Sequence, residues 1–135
     1  MPNRIEHIGV VIDNLGEAKA FLGDVMGLNF VREVDLPHRG VSAAFYGYGD
    51  VQIEIIEPKT DEVRKQRLPA GKQAAIEHIA IVVDDLPQTL ATMGARGVRW
   101  TPPDPPYVIT PGRRWVMTDP ETTDGITYQL IQLDA

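Results

Sequence analysis

The sequence predicts an α+β fold made of two paired βαβββ modules, each with one helix and four strands. Two observations support it: an opening segment that occurs twice, and apolar segments with strand and helix character after each copy. Residues 5–8 and 76–79 both read Ile-Glu-His-Ile, 71 positions apart. A solenoid needs about three or more repeats. Two copies therefore indicate two modules that share one sheet or one site.

The first module spans about residues 3–57. Residues 3–12 are apolar and rich in β-branched side chains, which predicts a strand. Asn14 then caps a helix that continues to Met26 and ends at Gly27. Three further strands are predicted, over residues 28–35, 42–48 and 51–56.

The second module spans about residues 75–133 and repeats this order. It begins with a strand over 75–83, followed by a helix that Asp85 caps and that ends before Gly97. The remaining strands are predicted over 98–101, 114–118 and 126–133. Four prolines between 101 and 107 predict an irregular loop. Residues 57–75 are rich in charged side chains, which predicts a linker. We therefore expect residues 1–135 to form a single domain.

Composition narrows the function classes. The 19 acidic residues exceed the 13 basic residues, giving a net charge of −6, which disfavours a nucleic-acid partner. The chain has no cysteine, so disulfides, thiolate metal sites and a cysteine nucleophile are excluded. Its apolar runs are far shorter than the roughly 20 residues of a membrane helix. Charged Arg4 and Glu6 interrupt any apolar signal segment, so we expect a cytoplasmic protein without a membrane partner.

Four polar residues occupy matching places in the apolar strands of the two modules. Side chains alternate between the faces of a strand, so His7 and His78 each share a face with a small residue two positions later, Gly9 or Ala80. Glu54 and Gln129 lie on the last strand of each module. Burying an ionised glutamate costs several kcal/mol unless it is paired or coordinated.

Two imidazoles, one carboxylate and one amide form a donor set that suits one divalent metal ion. Ligands of this type admit Mn, Co, Ni, Zn or Fe and leave positions for water or substrate. A single histidine on a strand is more often a satisfied core or edge residue. The carboxylate and amide at corresponding positions favour the metal interpretation.

At these residues the sequence resembles the vicinal oxygen chelate superfamily, which includes glyoxalases and bleomycin-resistance proteins. The paired segments IEHIGVVIDNL and IEHIAIVVDDL are typical of its module openings. The resemblance implies an incomplete β-barrel around a metal, with His7, Glu54, His78 and Gln129 as the ligands. It also implies Lewis-acid stabilisation of an enolate formed beside a carbonyl.

Within the superfamily the chain most resembles methylmalonyl-CoA epimerases, through residues 51–58, 75–78, 115–120 and 125–130. Two positions depart from that group: Gln129 and His38 stand where the epimerases usually carry glutamates. Gln129 can bind a metal through its carbonyl oxygen but cannot carry a proton. The resemblance thus implies an isomerase acting on methylmalonyl-CoA or a related acyl substrate, with Glu54 and His38 as the catalytic acid–base candidates.

Arg113 and Arg114 follow a glycine where the epimerases have a basic loop, so they are candidates for binding a substrate carboxylate or phosphate. Alternatives stay open. One is a glyoxalase-I-like lyase on a thiol hemithioacetal, and another is a bleomycin-resistance-like protein that binds a ligand without catalysis. An Fe(II) dioxygenase is disfavoured, because that group keeps a glutamate where this chain has Gln129. Homodimerisation is expected by analogy alone.

Overall fold

A computed structural model describes residues 2–101 and 107–134. The proline-rich loop predicted over 101–107 lies largely outside these residues. The described strands are β1 (Pro2–Ile12), β2 (Phe30–Leu36), β3 (Val41–Tyr48), β4 (Val51–Pro58), β5 (Ala74–Val83), β6 (Trp100–Thr101), β7 (Val108–Thr110), β8 (Arg113–Thr118) and β9 (Thr127–Leu133). The described α-helices are α1 (Leu15–Ala20), α2 (Asp61–Arg67) and α3 (Leu86–Gly94).

The predicted α+β class with two βαβββ modules is confirmed, and in each module the strands form an open sheet. Contacts divide the described chain into two compact units. One comprises residues 7–77, and the other comprises residues 78–134 together with 2–6. A single domain stays a prediction.

In the unit of residues 7–77 the strands follow the order β2-β3-β4-β1, with β1 parallel to β4 and the other neighbours antiparallel. Helix α1 packs on one face of this sheet. The core on that face contains Ile12, Leu22, Ala44, Tyr46 and Ile55. The opposite face is therefore the one that carries His7 and Glu54, since side chains alternate along each strand.

The other unit repeats this arrangement. Its strands follow the order β5-β9-β8-β6, with β5 parallel to β9 and the short β7 paired to β8. Helix α3 covers one face over a core of Val83, Leu86, Leu90, Val116 and Leu130. A second cluster of Ala80, Trp115 and Ile131 fills the opposite face. That opposite face also carries His78 and Gln129.

The duplication extends to the helix starts. Asn14 accepts a hydrogen bond from a first-turn amide of α1, and Asp85 does the same for α3, which confirms both predicted N-caps. In each unit a side chain of the last strand also accepts a hydrogen bond, from the first amide of the helix. The Glu57 carboxylate accepts from Leu15 N at 2.7 Å. By the same geometry, the amide oxygen of Gln132 accepts from the first helical amide of α3 at 2.7 Å.

Three local features differ from the sequence prediction. The first helix does not continue as one α-helix to Met26, because residues Phe21–Val25 form a π-helical turn. The predicted linker contains helix α2, which Thr60 caps by accepting a hydrogen bond from Val63 N. Strand β7 was not predicted. None of the described helices is both long and apolar enough to cross a membrane.

Candidate metal and substrate site

His7 and Glu54 are the candidate ligands in the unit of residues 7–77. His7 is 4% exposed, and its Nε2 lies 3.3 Å from Glu54 Oε1. The Glu54 side chain keeps 15% of its surface exposed, so it is half-buried but reachable from solvent. The rings of Phe45 and His7 contact each other in a T-shaped arrangement with 5.7 Å between their centroids. This packing fixes the imidazole beside the carboxylate.

The strand register explains why these side chains meet. Gly9 of β1, Glu54 of β4 and Phe45 of β3 stand opposite one another in one row across the sheet. Directly paired residues share a face, so Glu54 and Phe45 point the same way, and His7 lies two positions before Gly9 on that face. Gly9 stands at the β1 end of this row and places no side chain beside the carboxylate.

His78 and Gln129 are the corresponding residues of the other unit. His78 is 2% exposed, and Gln129 is 9% exposed. Gln129 stands opposite Ala80 on β5, and His78 stands opposite Thr127, so both side chains lie on the face away from α3. Ala80 takes the place that Gly9 has in the first unit. The small residue beside each histidine was predicted from the sequence.

The donors fit a divalent metal. Two ligands about 2.1 Å from one ion, at angles of about 90–109°, lie about 3.0–3.4 Å from each other. The 3.3 Å between His7 Nε2 and Glu54 Oε1 meets that condition. In the other unit His78 offers a buried imidazole and Gln129 an amide oxygen, which are donors of the same kinds. This set of nitrogen and oxygen donors suits first-row transition ions, as the sequence predicted.

His38 lies in a 3₁₀ turn (Pro37–Arg39) between β2 and β3 and is exposed. Gly40 closes this turn in the left-handed conformation, with φ of 68°. A Cβ at Gly40 would come within 2.8 Å of Val63 on α2, so the turn packs tightly against that helix. The structure thus fixes the backbone of the His38 turn, while the side chain lies at the surface. Its catalytic role stays a prediction.

Arg113 and Arg114 lie at the start of β8, whereas the residue that pairs with Gln129 lies near the end of that strand. Arg113 stands opposite Leu133, whereas Met117 stands opposite Gln129. Four residues of strand separate the two levels, or about 13 Å. Arg113 also donates to Glu6 at 2.7 Å. Arg114 projects to the opposite face, where its guanidinium lies 5.7 Å from the Tyr107 ring centroid.

Helix α2 supplies a cation that the sequence interpretation left among exposed linker charges. Arg67 donates two hydrogen bonds to Glu77, at 2.8 and 2.6 Å. These bonds raise the pKa of Arg67, and the negative charge of Glu54 adds to the effect. Burial, reinforced by the charge of Arg67, lowers the pKa of Arg39. A fixed positive charge therefore acts on Glu54 from the segment predicted as a linker.

Arg32 is a second residue that the sequence interpretation missed. It stands opposite Phe45, so it belongs to the row that contains Gly9 and Glu54. Its guanidinium lies 4.0 Å from the Phe45 ring centroid. Arg32 is itself exposed. The row thus brings a solvent-accessible cation to the same face as the half-buried carboxylate.

Comparison with known proteins identifies the class. A sequence model of the Glyoxalase/Bleomycin resistance protein/Dioxygenase superfamily matches residues 6–116. The chain belongs to this superfamily, as the repeated strand openings and the paired polar residues predicted. The match includes His7, Glu54 and His78 and ends before Gln129.

Particular relatives point to two activities. The mitochondrial methylmalonyl-CoA epimerase of Mus musculus is 25% identical over 130 residues, which cover 96% of this chain and 72% of that protein. A lactoylglutathione lyase of Neisseria meningitidis is 32% identical over 82 residues, which cover 61% of this chain and 58% of that protein. Both relatives are enzymes.

A solved structure shares the fold over the full length. A variant of Streptomyces coelicolor methylmalonyl-CoA epimerase, in complex with 2-nitronate-propionyl-CoA, superposes with a TM-score of 0.85. The match covers 100% of both chains at 22% sequence identity. This likeness confirms the vicinal oxygen chelate fold.

Proposed function

We propose that this protein is a divalent-metal-dependent isomerase that epimerises methylmalonyl-CoA or a related acyl substrate through an enolate. One observation carries the proposal: a half-buried Glu54 carboxylate lies 3.3 Å from the buried His7 imidazole, on the sheet face opposite α1. A carboxylate in that position is costly unless a cation or a proton compensates it. Similarity to epimerases supports the choice of substrate class.

The metal would be held by His7, Glu54, His78 and Gln129, the residues that the two modules carry at equivalent strand positions. When bound, the ion would act as a Lewis acid toward the carbonyl oxygens of the substrate. The ion is Co, Mn, Ni, Zn or Fe, all of which accept this mixture of nitrogen and oxygen donors.

The proton chemistry falls to Glu54 and His38. Glu54 Oε2 or Oε1 can accept the proton next to the substrate carbonyl, since a carboxylate carries no proton at neutral pH. Epimerisation needs a second group that returns a proton on the opposite side of the planar carbanion. An imidazole can both donate and accept a proton, and His38 takes this role in the proposal, with its side chain turned inward when substrate binds. Gln129 cannot replace it, because an amide does not titrate.

The test follows exchange of the substrate α-proton with solvent deuterium, by NMR, in metal-loaded protein. Glu54→Gln is expected to lower the rate by at least about 10²–10⁴-fold, the usual contribution of a general base, and weaker metal binding adds to this loss. Glu57→Gln is the matched control, because it makes the same change on the same strand but on the helix-facing side. Exchange that survives Glu54→Gln, or that is lost equally in the control, would contradict the proposal.

A lyase acting on a thiol hemithioacetal is the second candidate. The exposed position of His38 favours it, because a reaction that removes and returns a proton on one side needs only one base, Glu54. Similarity to a lactoylglutathione lyase agrees with this chemistry. Product formation from methylglyoxal and glutathione, unaffected by His38→Ala, would select the lyase over the epimerase.

Two further expectations belong to the same proposal. The substrate is a small molecule such as a CoA thioester, and Arg113 or Arg114 is predicted to help bind its anionic part. Their separation from the Gln129 level predicts that neither variant, Arg113→Gln or Arg114→Gln, changes the exchange rate at saturating substrate. A homodimer stays a prediction by analogy, which light scattering on purified protein can check.

A further inference from the structure

Strand β2 contains an irregularity that places Arg32 on the site face. Phe30 stands opposite Tyr46, but Arg32 stands opposite Phe45, with a register shift between them. On a regular strand, residues two positions apart share a face. Here Phe30 packs against Tyr46 on the helix side, with 5.5 Å between ring centroids, whereas Arg32 lies over Phe45. β-Bulges near functional sites commonly redirect one side chain in this way.

The redirected guanidinium is held in place by stacking. Its central carbon lies 4.0 Å from the Phe45 ring centroid, within the range of a cation–π interaction. Phe45 is itself buried and contacts His7. The guanidinium–Phe45 and Phe45–His7 distances together give an upper limit of about 10 Å between the guanidinium and the His7 ring. Arg32 keeps its donor groups accessible at that distance, because stacking occupies the face of the guanidinium and leaves its edge.

We propose that Arg32 binds an anionic group of the substrate and thereby helps determine specificity. The inference rests on the proposed function, since it assumes that the substrate reacts beside His7 and Glu54. A planar guanidinium with exposed edge donors suits carboxylate or phosphate, which accept two parallel hydrogen bonds. Because the guanidinium lies within about 10 Å of the His7 ring, the candidate anions are a carboxylate of the acyl part and a phosphate of the tail.

The net charge of the chain supports a role for Arg32 in binding an anion. The chain has a net charge of −6, and one of its negative charges, that of Glu54, lies on the site face. A further cation on this face favours the approach of an anionic substrate, in addition to the charge of Arg67 near Glu54. Arg32 lies in the same row as Glu54, and its side chain is exposed.

The experiment measures dissociation constants by titration calorimetry for three probes: coenzyme A, pantetheine and methylmalonate. Arg32→Gln should weaken binding of an anionic probe by about tenfold or more, the loss expected for a charge-assisted hydrogen bond. Loss confined to coenzyme A assigns the anion to the phosphates, and loss confined to methylmalonate assigns it to the acyl carboxylate. Pantetheine, which has no anionic group, should bind the same in both proteins.

Two variants separate binding from bulk charge and from folding. Arg99→Gln removes another cation, whose side chain is 64% exposed and pairs with Asp119 in the other unit, and it should leave binding unchanged. Arg32→Lys keeps the charge but loses the planar stacking, so its affinity should fall between those of the natural chain and Arg32→Gln. Circular dichroism confirms that each variant is folded before titration.

Three results would overturn the role of Arg32: equal affinity in the natural chain and Arg32→Gln, an equal loss in Arg99→Gln, or no binding of either anionic probe to the natural chain. Bound metal is measured in the same samples. Metal without Arg32-dependent binding refutes this inference alone. Arg32-dependent binding in protein that holds no metal refutes the proposed function and leaves the anion site standing.

Discussion

Substitution of Glu54 by glutamine should show whether Glu54 is a metal ligand or only a half-buried carboxylate. Glutamine has nearly the same shape, so it keeps the packing beside His7 and Phe45 but removes the charge. A bound ion stabilises the folded protein by about 2.7 kcal/mol at a concentration 100 times its Kd. For a chain of this length, 1 kcal/mol corresponds to about 3–5 °C in Tm, so the natural chain should gain roughly 10 °C.

In Glu54→Gln the metal-dependent increase in Tm should nearly vanish. If loss of the carboxylate weakens binding about 100-fold, the same metal concentration equals the new Kd and contributes only about 0.4 kcal/mol, or about 2 °C. The assay is thermal unfolding by circular dichroism at pH 8, with and without added ion, after chelator treatment. Each protein's metal-free form is its own reference, so a change in intrinsic stability does not enter the comparison.

Glu57→Gln is the matched control and should keep the full metal-dependent gain, because Glu57 caps α1 on the other face of β4. An equal gain in the natural chain and Glu54→Gln would refute Glu54 as a ligand. A gain lost in both variants would show that any carboxylate of this strand matters equally, which also contradicts the account.

Two further predictions concern stability. The hydrogen bond from Lys59, followed by that from Leu15 N, holds the pKa of Glu57 below its ordinary value of 4.5. This contribution is present above pH 4.5 and is lost as pH falls through the lowered value, so in urea unfolding Glu57→Gln should cost about 1 kcal/mol at pH 7 and progressively less as the pH falls below 4.5. A cost that does not change with pH would disprove the contribution of the Glu57 charge. Gly47→Ala should destabilise by about 1–3 kcal/mol, because its Cβ would lie 2.6 Å from a backbone carbonyl, whereas Gly94→Ala, in open space, should stabilise by about 0.5–1 kcal/mol. Equal effects of the two substitutions in urea unfolding would contradict this packing.

The sequence predicts the strand faces well because the period of two is simple. Alternation alone places His7, Glu54, His78 and Gln129 away from the helices, and the structure has them there. The repeated opening identifies which histidines correspond. Neither observation depends on distant contacts, so both can be made from the chain alone.

Helix α2 had a signal that the charged composition obscured. Thr60 precedes Asp61 and Glu62, and basic residues fill the last turn, which is the charge order that favours a helix. The hydrogen bond from Val63 N to Thr60 Oγ1, at 3.2 Å, completes the cap. Attention to this cap would have predicted the helix, although not the two hydrogen bonds of Arg67 with Glu77.

The face of Arg32 could not be predicted, because it depends on where the β2–β3 register shifts. A regular strand would put Arg32 on the same face as Phe30, toward the helix. The shift follows from pairing with a strand that comes later in the sequence, and no residue pattern within β2 marks it. Site residues that depend on such pairing appear only once the sheet is known.

The central claim is that the paired polar residues bind one metal ion, and elemental analysis tests it most directly. Protein incubated with Mn, Co, Ni, Zn or Fe(II) and then desalted should retain about one ion per chain. His78→Ala should lose it, while the exposed His38→Ala should keep it. No bound ion in the natural chain under any of these conditions, or equal retention in His78→Ala and the natural chain, would contradict the account.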